Sequence, residues 1–166
     1  MLKLFAIAKI TKPSGFSGDV RVRPLVRHFD DYIQDKDLSL GFSEDLAQTV
    51  KLMKTTGLGK SKRFLFEGIG SREEAETIIG QTLFAVVSDN DPINLISPDL
   101  LGAAVVTSNG DYVGELVDML SLPTNDVYVI ENGKKEVLIP VVPEIITHIG
   151  VKEGVVTIEP MDGLLD

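Results

Sequence analysis

Apolar and polar residues alternate in short runs along most of this chain, a pattern typical of β-strands that bury one face. In the first half, the runs lie at residues 4–10, 20–25, 38–42, 49–54, 63–67 and 83–87. In the second half, they lie at residues 103–107, 112–120, 127–131, 136–139 and 155–159. Because the runs are short and separated by turn residues, they predict a mainly β protein of two small β-barrels, the first of them six-stranded.

Glycine and proline mark where the predicted strands of the second half turn and end. Asn109-Gly110 and Asn132-Gly133 accept positive φ at both central positions of a type I′ turn, so each dipeptide predicts a hairpin. Pro140 and Pro143 lack the backbone N–H that a continuing strand needs. The strand that begins at residue 136 is therefore expected to stop there.

One helix is predicted within the first half, with a capping box at its start. Ser71 can cap it, Glu74 at the third helical position completes the box, and Gly80 can close it in the left-handed conformation. The face expected to be buried carries Ala75, Ile78 and Ile79. A shorter helical turn is expected around residues 144–149, where it would plug the second barrel.

A boundary is expected where the sequence becomes polar and rich in turn residues. Residues 88–94 read Ser-Asp-Asn-Asp-Pro-Ile-Asn, and Pro92 breaks any regular element there. The predicted organisation is a first domain at 1–88, an exposed linker at 89–97 and a second domain at 98–166.

Charge separates the same two halves. The net charge is −9, but residues 1–88 carry thirteen Lys/Arg against eleven Asp/Glu, or +2, while residues 89–166 carry three against fourteen, or −11. An acidic half repels phosphate and attracts basic proteins, although the same charge also serves simple solubility. The two halves are therefore expected to prefer different partners.

Composition favours a cytoplasmic protein. The chain has no Cys, which excludes disulfides and Cys-ligated zinc. No apolar run approaches the roughly 18 residues that a membrane-spanning helix needs, and Lys9 interrupts the apolar start without a cleavage site after it. We expect neither a membrane segment nor a signal peptide.

Two short strings resemble phosphate-binding motifs but lack the structural context that those motifs require. Gly59-Lys60-Ser61 copies the end of a P-loop, but Lys54 stands where the first glycine belongs, and a strand is predicted where the helix must begin. Gly15-Phe16-Ser17-Gly18 spells the GxxG of a KH domain, yet here it joins strands rather than helices. Neither nucleotide binding nor a KH domain is expected.

The sequence offers few residues in the arrangements that catalytic sites require. His28, expected in a loop, and His148, expected packed or on an edge, are the only histidines, so a nucleophile has few possible bases. The carboxylates Asp30, Asp31, Glu73, Glu74 and Glu76 resemble a solvated loop and helix face rather than a metal cage. We expect no enzyme activity, no cofactor and no metal site.

A glycine turn followed by a basic strand is the best candidate for RNA contact. Period-two alternation places Val20 and Val22 on one side of the strand and Arg21 and Arg23 on the other. Those arginines, with Lys12 and a partly exposed Phe16, can contact RNA or can simply be solvated.

Several strings in this chain resemble those of the RimM-type ribosome maturation factors. They are Ile7-Ala8-Lys9-Ile10-Thr11-Lys12-Pro13-Ser14-Gly15-Phe16-Ser17-Gly18-Asp19-Val20-Arg21-Val22, Asp99-Leu100-Leu101-Gly102, Asn109-Gly110-Asp111-Tyr112-Val113-Gly114-Glu115, Asn125-Asp126-Val127-Tyr128-Val129, Leu138-Ile139-Pro140-Val141-Val142-Pro143-Glu144 and Asp162-Gly163-Leu164-Leu165-Asp166. The strings follow the family's order over nearly the whole chain. The resemblance implies an N-terminal barrel like those of elongation factors and reductases, followed by a PRC-type barrel.

The resemblance also implies a role and two partners. The role is a non-enzymatic assembly factor for the head of the small ribosomal subunit, which assists 16S rRNA maturation in the immature 30S subunit. The partners are 16S rRNA and a basic protein, number nineteen of the small subunit, and the chain is expected to be a monomer. The rival interpretation is a metabolic PRC-barrel or reductase-like module that binds a small ligand.

Candidate binding residues follow from the resemblance together with the basic strand. The RNA-binding candidates are Lys12, Ser14, Gly15, Phe16, Gly18, Arg21 and Arg23. The candidates for binding the ribosomal protein are Leu95, Ile96, Asp99, Asn125 and Asp126. Family members usually have His where Ser14 stands and a tyrosine pair where Leu95 and Ile96 stand. Docking here is therefore expected to use apolar contact without the phenol hydroxyls.

Overall fold

The computed structural model describes residues 2–160, 163 and 165. Part of the terminal string at 162–166 that supported the family resemblance, namely Asp162, Leu164 and Asp166, lies outside the described residues. The chain divides into two units, Met1–Asp89 and Asn90–Asp166.

The first unit is a single antiparallel sheet with two short helices. The strands are β1 (Leu2–Pro13), β2 (Val20–Pro24), β3 (Leu38–Gly41), β4 (Gln48–Val50), β5 (Leu52–Thr56), β6 (Arg63–Phe66) and β7 (Thr82–Ser88). The α-helices are α1 (Phe29–Asp35) and α2 (Arg72–Glu76), and 3-10 turns lie at Glu44–Leu46 and Gly59–Ser61. The strand order is β4-β3-β7-β1-β2-β6-β5.

The sheet of the first unit is rolled into the expected barrel-like shape. The sequence predicted one strand at 49–54, whereas the structure has β4 and β5 at opposite edges of the sheet. Only Lys51 separates the two strands along the chain, so the edges must come close together. The unit therefore has seven strands rather than six, because one predicted strand bends between the two edges.

The helix predicted from the capping box is confirmed. The backbone N–H of Glu74 donates to the Ser71 hydroxyl at 3.1 Å, and the Glu74 carboxylate accepts from the Gly70 N–H at 3.2 Å. Gly80 has φ +89°, as expected for the closing residue. Ala75 and Ile78 are buried in the core, and Ile79 is half-buried.

Helix α1 is a correction, because its segment was expected to be a loop. It begins directly after His28 and buries Phe29 and Ile33. The Phe29 ring meets Phe64 edge to face, with 5.7 Å between centroids. Burial of an aromatic pair stabilises the helix even though it has no side-chain cap.

The second unit is a six-stranded sheet that contains one parallel pair. Its strands are β8 (Ala104–Thr107), β9 (Tyr112–Ser121), β10 (Asp126–Asn132), β11 (Lys135–Pro140), β12 (Ile146–Gly150) and β13 (Val155–Ile158). The order is β11-β10-β9-β8-β13-β12, and β13 runs parallel to β8. β11 ends at Pro140, as predicted. The sheets of the two units confirm the predicted mainly β class.

The helical turn expected at residues 144–149 is wrong. A short turn precedes β12, and β12 pairs with β13. Ile146 lies opposite Ile158 in the sheet. His148 is exposed on this edge strand, consistent with the expectation of an edge histidine.

Both predicted hairpins are present, but their turns are not type I′. Asn109 and Asn132 do not have positive φ, since within the described residues that conformation is confined to glycines. Gly133 (φ +63°) is the first of two central residues between paired Asn132 and Lys135, the place that glycine takes in a type II′ turn. Gly110 (φ +93°) instead closes a turn in which its N–H donates to Thr107.

The exposed linker predicted at 89–97 is also a correction. Residues Pro92–Ile96 and Pro98–Leu100 form two consecutive 3-10 helices, started by the side chains of Asp91 and Ser97. Ile93 and Asn94 are 3% and 2% exposed. The proline that suggested a break in structure stands instead at the start of a helix, where its missing N–H costs nothing.

Candidate functional site

The basic residues of β1 and β2 lie opposite one another. Lys12 pairs with Arg21 and Lys9 pairs with Arg23, and Thr11 forms a bulge between them. Val20 is fully buried and Arg23 is exposed, as the alternation predicted, whereas Arg21 and Val22 are both half-buried. Like charges directly opposite in a sheet repel each other, so these pairs destabilise the free protein. An anion placed between them would remove that repulsion.

These four residues, Lys9, Lys12, Arg21 and Arg23, are called the paired basic face below. Lys9 was not among the candidates, because only the observed register shows that it stands opposite Arg23. The Thr11 hydroxyl donates to the Arg21 carbonyl at 3.1 Å and fixes the bulge. The bulge sets the register of the second pair relative to the first.

The glycine turn after β1 presents Phe16 to solvent. The Phe16 side chain is 83% exposed. Backbone hydrogen bonds hold the turn on both sides, from Ser14 N–H to the Asp19 carbonyl at 2.8 Å and from Arg72 N–H to the Phe16 carbonyl at 3.1 Å. Such a ring, held on a fixed turn and open on one face, is a platform on which a flat group can stack.

Arg72 supports this turn from α2. Its guanidinium carbon lies 5.8 Å from the centre of the Phe16 ring, and its Nη1 donates to the Gly15 carbonyl at 3.2 Å. The contact adds a cation–π interaction beside the exposed ring, and Arg72 Nε also lies 3.7 Å from Glu76 Oε1. Sequence reasoning missed Arg72 because 57 positions separate it from Gly15, and no local pattern joins them.

Gly18 explains why the turn needs its second glycine. Its φ is +101°, and a Cβ there would stand 2.2 Å from the Ile69 carbonyl oxygen. At Gly15 (φ +78°) a Cβ would meet nothing within 4 Å. Gly18 therefore allows close packing against the loop before α2, whereas Gly15 serves only the turn.

In the second unit, Leu95 and Ile96 belong to the first 3-10 helix rather than to a free linker. Leu95 packs against the core of this unit, and its carbonyl accepts a hydrogen bond from the hydroxyl of the fully buried Tyr128. Ile96 is half-buried and Asp99 is exposed. Both apolar candidates are half-buried, and Leu95 packs against the core cluster of this unit.

Asn125 and Asp126 lie where β9 turns into β10. The Leu122 N–H donates to the Asn125 carbonyl at 3.0 Å, and the Val141 N–H donates to the Asp126 carbonyl at 2.9 Å. Burial, and secondly the negative charge of Asp126, raise the pKa of Tyr128 above its ordinary value. Tyr128, which was not a candidate, therefore connects Leu95 and Asp126; no such connection to Asp99 is seen among the described contacts.

Possible metal ligands do not cluster in the part of the chain that the structure describes. No group of three or more His, Asp or Glu there could hold a metal ion. Lys60 of the apparent P-loop sits in a 3-10 turn that leads into β6, without the helix that cradles phosphate. None of the described helices has the length and apolar character needed to cross a membrane.

Comparison with family models covers almost the whole chain. Residues 5–90 match the RimM N-terminal domain, and residues 97–164 match the RimM PRC barrel domain.

Relatives that match this chain over nearly their whole length are named ribosome maturation factor RimM. The chain is 30% identical to the ribosome maturation factor RimM of Prosthecochloris aestuarii over 98% of both chains. It is 30% identical to that of Clostridioides difficile, over 98% of this chain and 96% of the relative. A solved structure of a putative 16S ribosomal RNA processing protein RimM from Pseudomonas aeruginosa is 21% identical, covers 96% of this chain and 98% of its own, and has a TM-score of 0.46.

Proposed function

Because the chain belongs to the RimM family of ribosome maturation factors, we propose that it assists 16S rRNA maturation in the immature small ribosomal subunit. The observation that carries the proposal is the division of charge between two family domains. Residues 1–88 carry +2 and residues 89–166 carry −11. A chain of this kind can hold RNA with one domain and a basic protein with the other.

The first domain is proposed to contact RNA through the paired basic face and the glycine turn. Opposed cations at Lys12 and Arg21 gain a favourable partner when a phosphate lies between them. The exposed Phe16 ring, with Arg72 on it, offers a stacking surface for an unpaired base. Ser14, Gly15 and Gly18 serve this surface by shaping the turn.

The second domain is proposed to bind protein number nineteen of the small subunit. Its acidic charge favours a basic partner, and Ile96, Asp99, Asn125 and Asp126 are the proposed contacts. Leu95 contributes indirectly. It packs against the core and so holds in place the 3-10 helix on which Ile96 lies. The contact at Ile96 is apolar, where the family commonly uses an aromatic ring.

The protein is proposed to act in the cytoplasm as a monomer, without catalysis. It works by holding partners in a productive arrangement. The proposed domain limits are 1–88 and 98–166, and residues 90–97 fold with the second unit. Residues 91–97 are expected to resist limited proteolysis because Asp91, Ile93, Asn94 and Ser97 are buried, so cleavage should fall at the exposed residues 88–90.

Sedimentation tests the proposed function. A tagged full-length chain is expressed in cells that lack their own copy, and ribosomal particles are separated on a sucrose gradient. We expect the chain to migrate with immature small subunits and to be absent from mature large subunits. The Lys12→Gln/Arg21→Gln variant should shift toward the top of the gradient.

A matched variant controls for the loss of two charges. Lys51 and Lys54 are exposed and lie outside the paired basic face, so Lys51→Gln/Lys54→Gln should co-sediment like the parent. Co-sedimentation of the parent chain with no ribosomal particle would refute the assembly role.

A further inference from the structure

A cleft of about 500 Å³ opens beside the paired basic face in the first unit. Its rim carries Arg23, Arg27, Lys60 and Lys62, and its floor includes Phe29 and Phe64. It is called the basic cleft below. Among the described residues that line it, Asp30 alone brings a negative charge.

The charge of the basic cleft favours an anion. Arg23, Lys60 and Lys62 face one carboxylate, and that carboxylate is already engaged, since Lys62 Nζ lies 2.9 Å from Asp30 Oδ1. The Asp30 side chain is 68% exposed, so this ion pair is solvated and weak. An incoming phosphate can replace Asp30 as the partner of Lys62.

The floor of the basic cleft is apolar. Phe29 and Phe64 are 4% and 2% exposed and pack edge to face, which fixes the shape of the floor. Val22, Pro24 and Val26 also line the cleft. Its volume lies within the range of about 300–1,000 Å³ typical of pockets for small organic groups. A phosphate with a nucleoside attached fits both parts of this lining better than a carboxylate chain does.

The basic cleft is continuous with the paired basic face. Arg23 belongs to both, because it stands opposite Lys9 in the sheet and also lines the cleft. Arg21 follows two residues away on the same strand, with Lys12 opposite. A polyanion that follows the strand therefore reaches the cleft without crossing an uncharged gap.

We propose that the basic cleft binds an internucleotide phosphate of single-stranded RNA, with the attached nucleoside on its apolar floor. Lys60 and Lys62 hold the phosphate, and Arg23 joins this contact to the rest of the RNA path. The inference rests on the proposed RNA-binding function and names one specific site within it. It also gives a role to Lys60, which the broken P-loop motif left without one.

Binding of a short labelled single-stranded oligoribonucleotide to the full chain tests the site. Lys60→Gln/Lys62→Gln should weaken binding about tenfold or more at low salt and lower the log–log salt slope by roughly 0.7, because the two lysines share one phosphate contact. Lys51→Gln/Lys54→Gln removes the same charge outside the cleft and should leave both values unchanged. Urea denaturation of each variant confirms that the fold is intact.

Asp30→Asn provides a test with the opposite sign. It removes the competing carboxylate from Lys62, so it should tighten oligoribonucleotide binding by about two- to fivefold. A merely structural role for the Lys62–Asp30 pair predicts no gain. Unchanged or weaker binding with an intact fold would therefore count against the proposal.

Competitors identify the ligand that the cleft accepts. A mononucleotide such as AMP, or a glutamate-rich peptide, should compete far less well than unlabelled oligoribonucleotide. Equal competition by AMP would make the cleft a free-nucleotide site, and equal competition by the peptide would make it a protein-binding site; either result overturns the proposal.

Different results would contradict the proposed cleft site and the proposed RNA-binding function of the first domain. If Lys12→Gln/Arg21→Gln weakens RNA binding and Lys60→Gln/Lys62→Gln does not, the cleft is excluded and the RNA-binding function stands. If neither double variant affects binding, the RNA role of the first domain fails as a whole.

Discussion

Position 18 has two structural constraints that only glycine satisfies. Its φ of +101° is unfavourable for side chains, and an added Cβ would collide with the Ile69 carbonyl at 2.2 Å. Gly18→Ala should therefore cost the first unit more than about 2 kcal/mol in free energy of unfolding, because strain of about 1–2 kcal/mol adds to the clash. Gly15→Ala carries the strain alone and should cost about 1 kcal/mol. Urea denaturation measures both, and equal losses would show that the contact with Ile69 is unimportant.

Tyr128 gives the second unit a dependence on high pH. Burial raises the pKa of its phenol, so above the ordinary value of 10.0 the unfolded chain loses the proton while the folded chain keeps it. Stability is therefore complete below pH 10.0 and falls as the pH rises above it. Tyr128→Phe should lower stability by about 1 kcal/mol at neutral pH, because the Leu95 carbonyl loses its donor, and should flatten the fall at high pH.

The matched control is a tyrosine that is exposed. Tyr112 is 59% exposed, so Tyr112→Phe should leave both the neutral stability and its decline at high pH unchanged. Urea midpoints at neutral pH and above pH 10.0 provide the comparison. A decline that persists unchanged in Tyr128→Phe would assign the pH dependence to other groups.

At the scale of elements, the predicted strands were mostly right because alternation reports directly which residues face a core. The errors arose where tertiary contacts decide the outcome. Helix α1 depends on the Phe29–Phe64 contact, and one predicted strand became β4 and β5 because the chain bends at Lys51. Arg72 and the basic cleft could not be predicted, since their parts come together from distant segments. The basic strand was predictable because its alternation is local.

Two neighbouring residues of the 3-10 helix at Pro92–Ile96 differ in their packing: Leu95 packs against the core cluster, whereas Ile96 lies outside it. Ile96→Asp should weaken binding of the isolated ribosomal protein while unfolding is unchanged, because Ile96 lies outside the core cluster. Leu95→Asp should lower the free energy of unfolding by at least about 2 kcal/mol, because Leu95 packs against the core. Titration calorimetry and urea denaturation distinguish the two effects. Full binding by folded Ile96→Asp would exclude this helix from the docking site.

At the scale of the whole molecule, the opposite charges of the two domains predict that their partners can be lost independently. Replacement of Arg21 and Arg23 by Gln should weaken RNA binding and lower its salt dependence. Each phosphate contact contributes about 0.7 to the log–log slope for a single strand, so two contacts should lower it by roughly 1.4. Binding of the isolated ribosomal protein should be unchanged, because it is assigned to the second domain.

The reverse pattern provides the check on this separation. Ile96→Asp should retain the RNA affinity and salt slope of the parent chain, since neither the paired basic face nor the basic cleft includes residue 96. Both ligands are measured on the same full-length variants, so a general loss of folding would appear as a loss of both. If the double arginine variant loses the ribosomal protein as well as RNA while still folded, the two surfaces are coupled. The assignment of one partner to each domain would then be wrong.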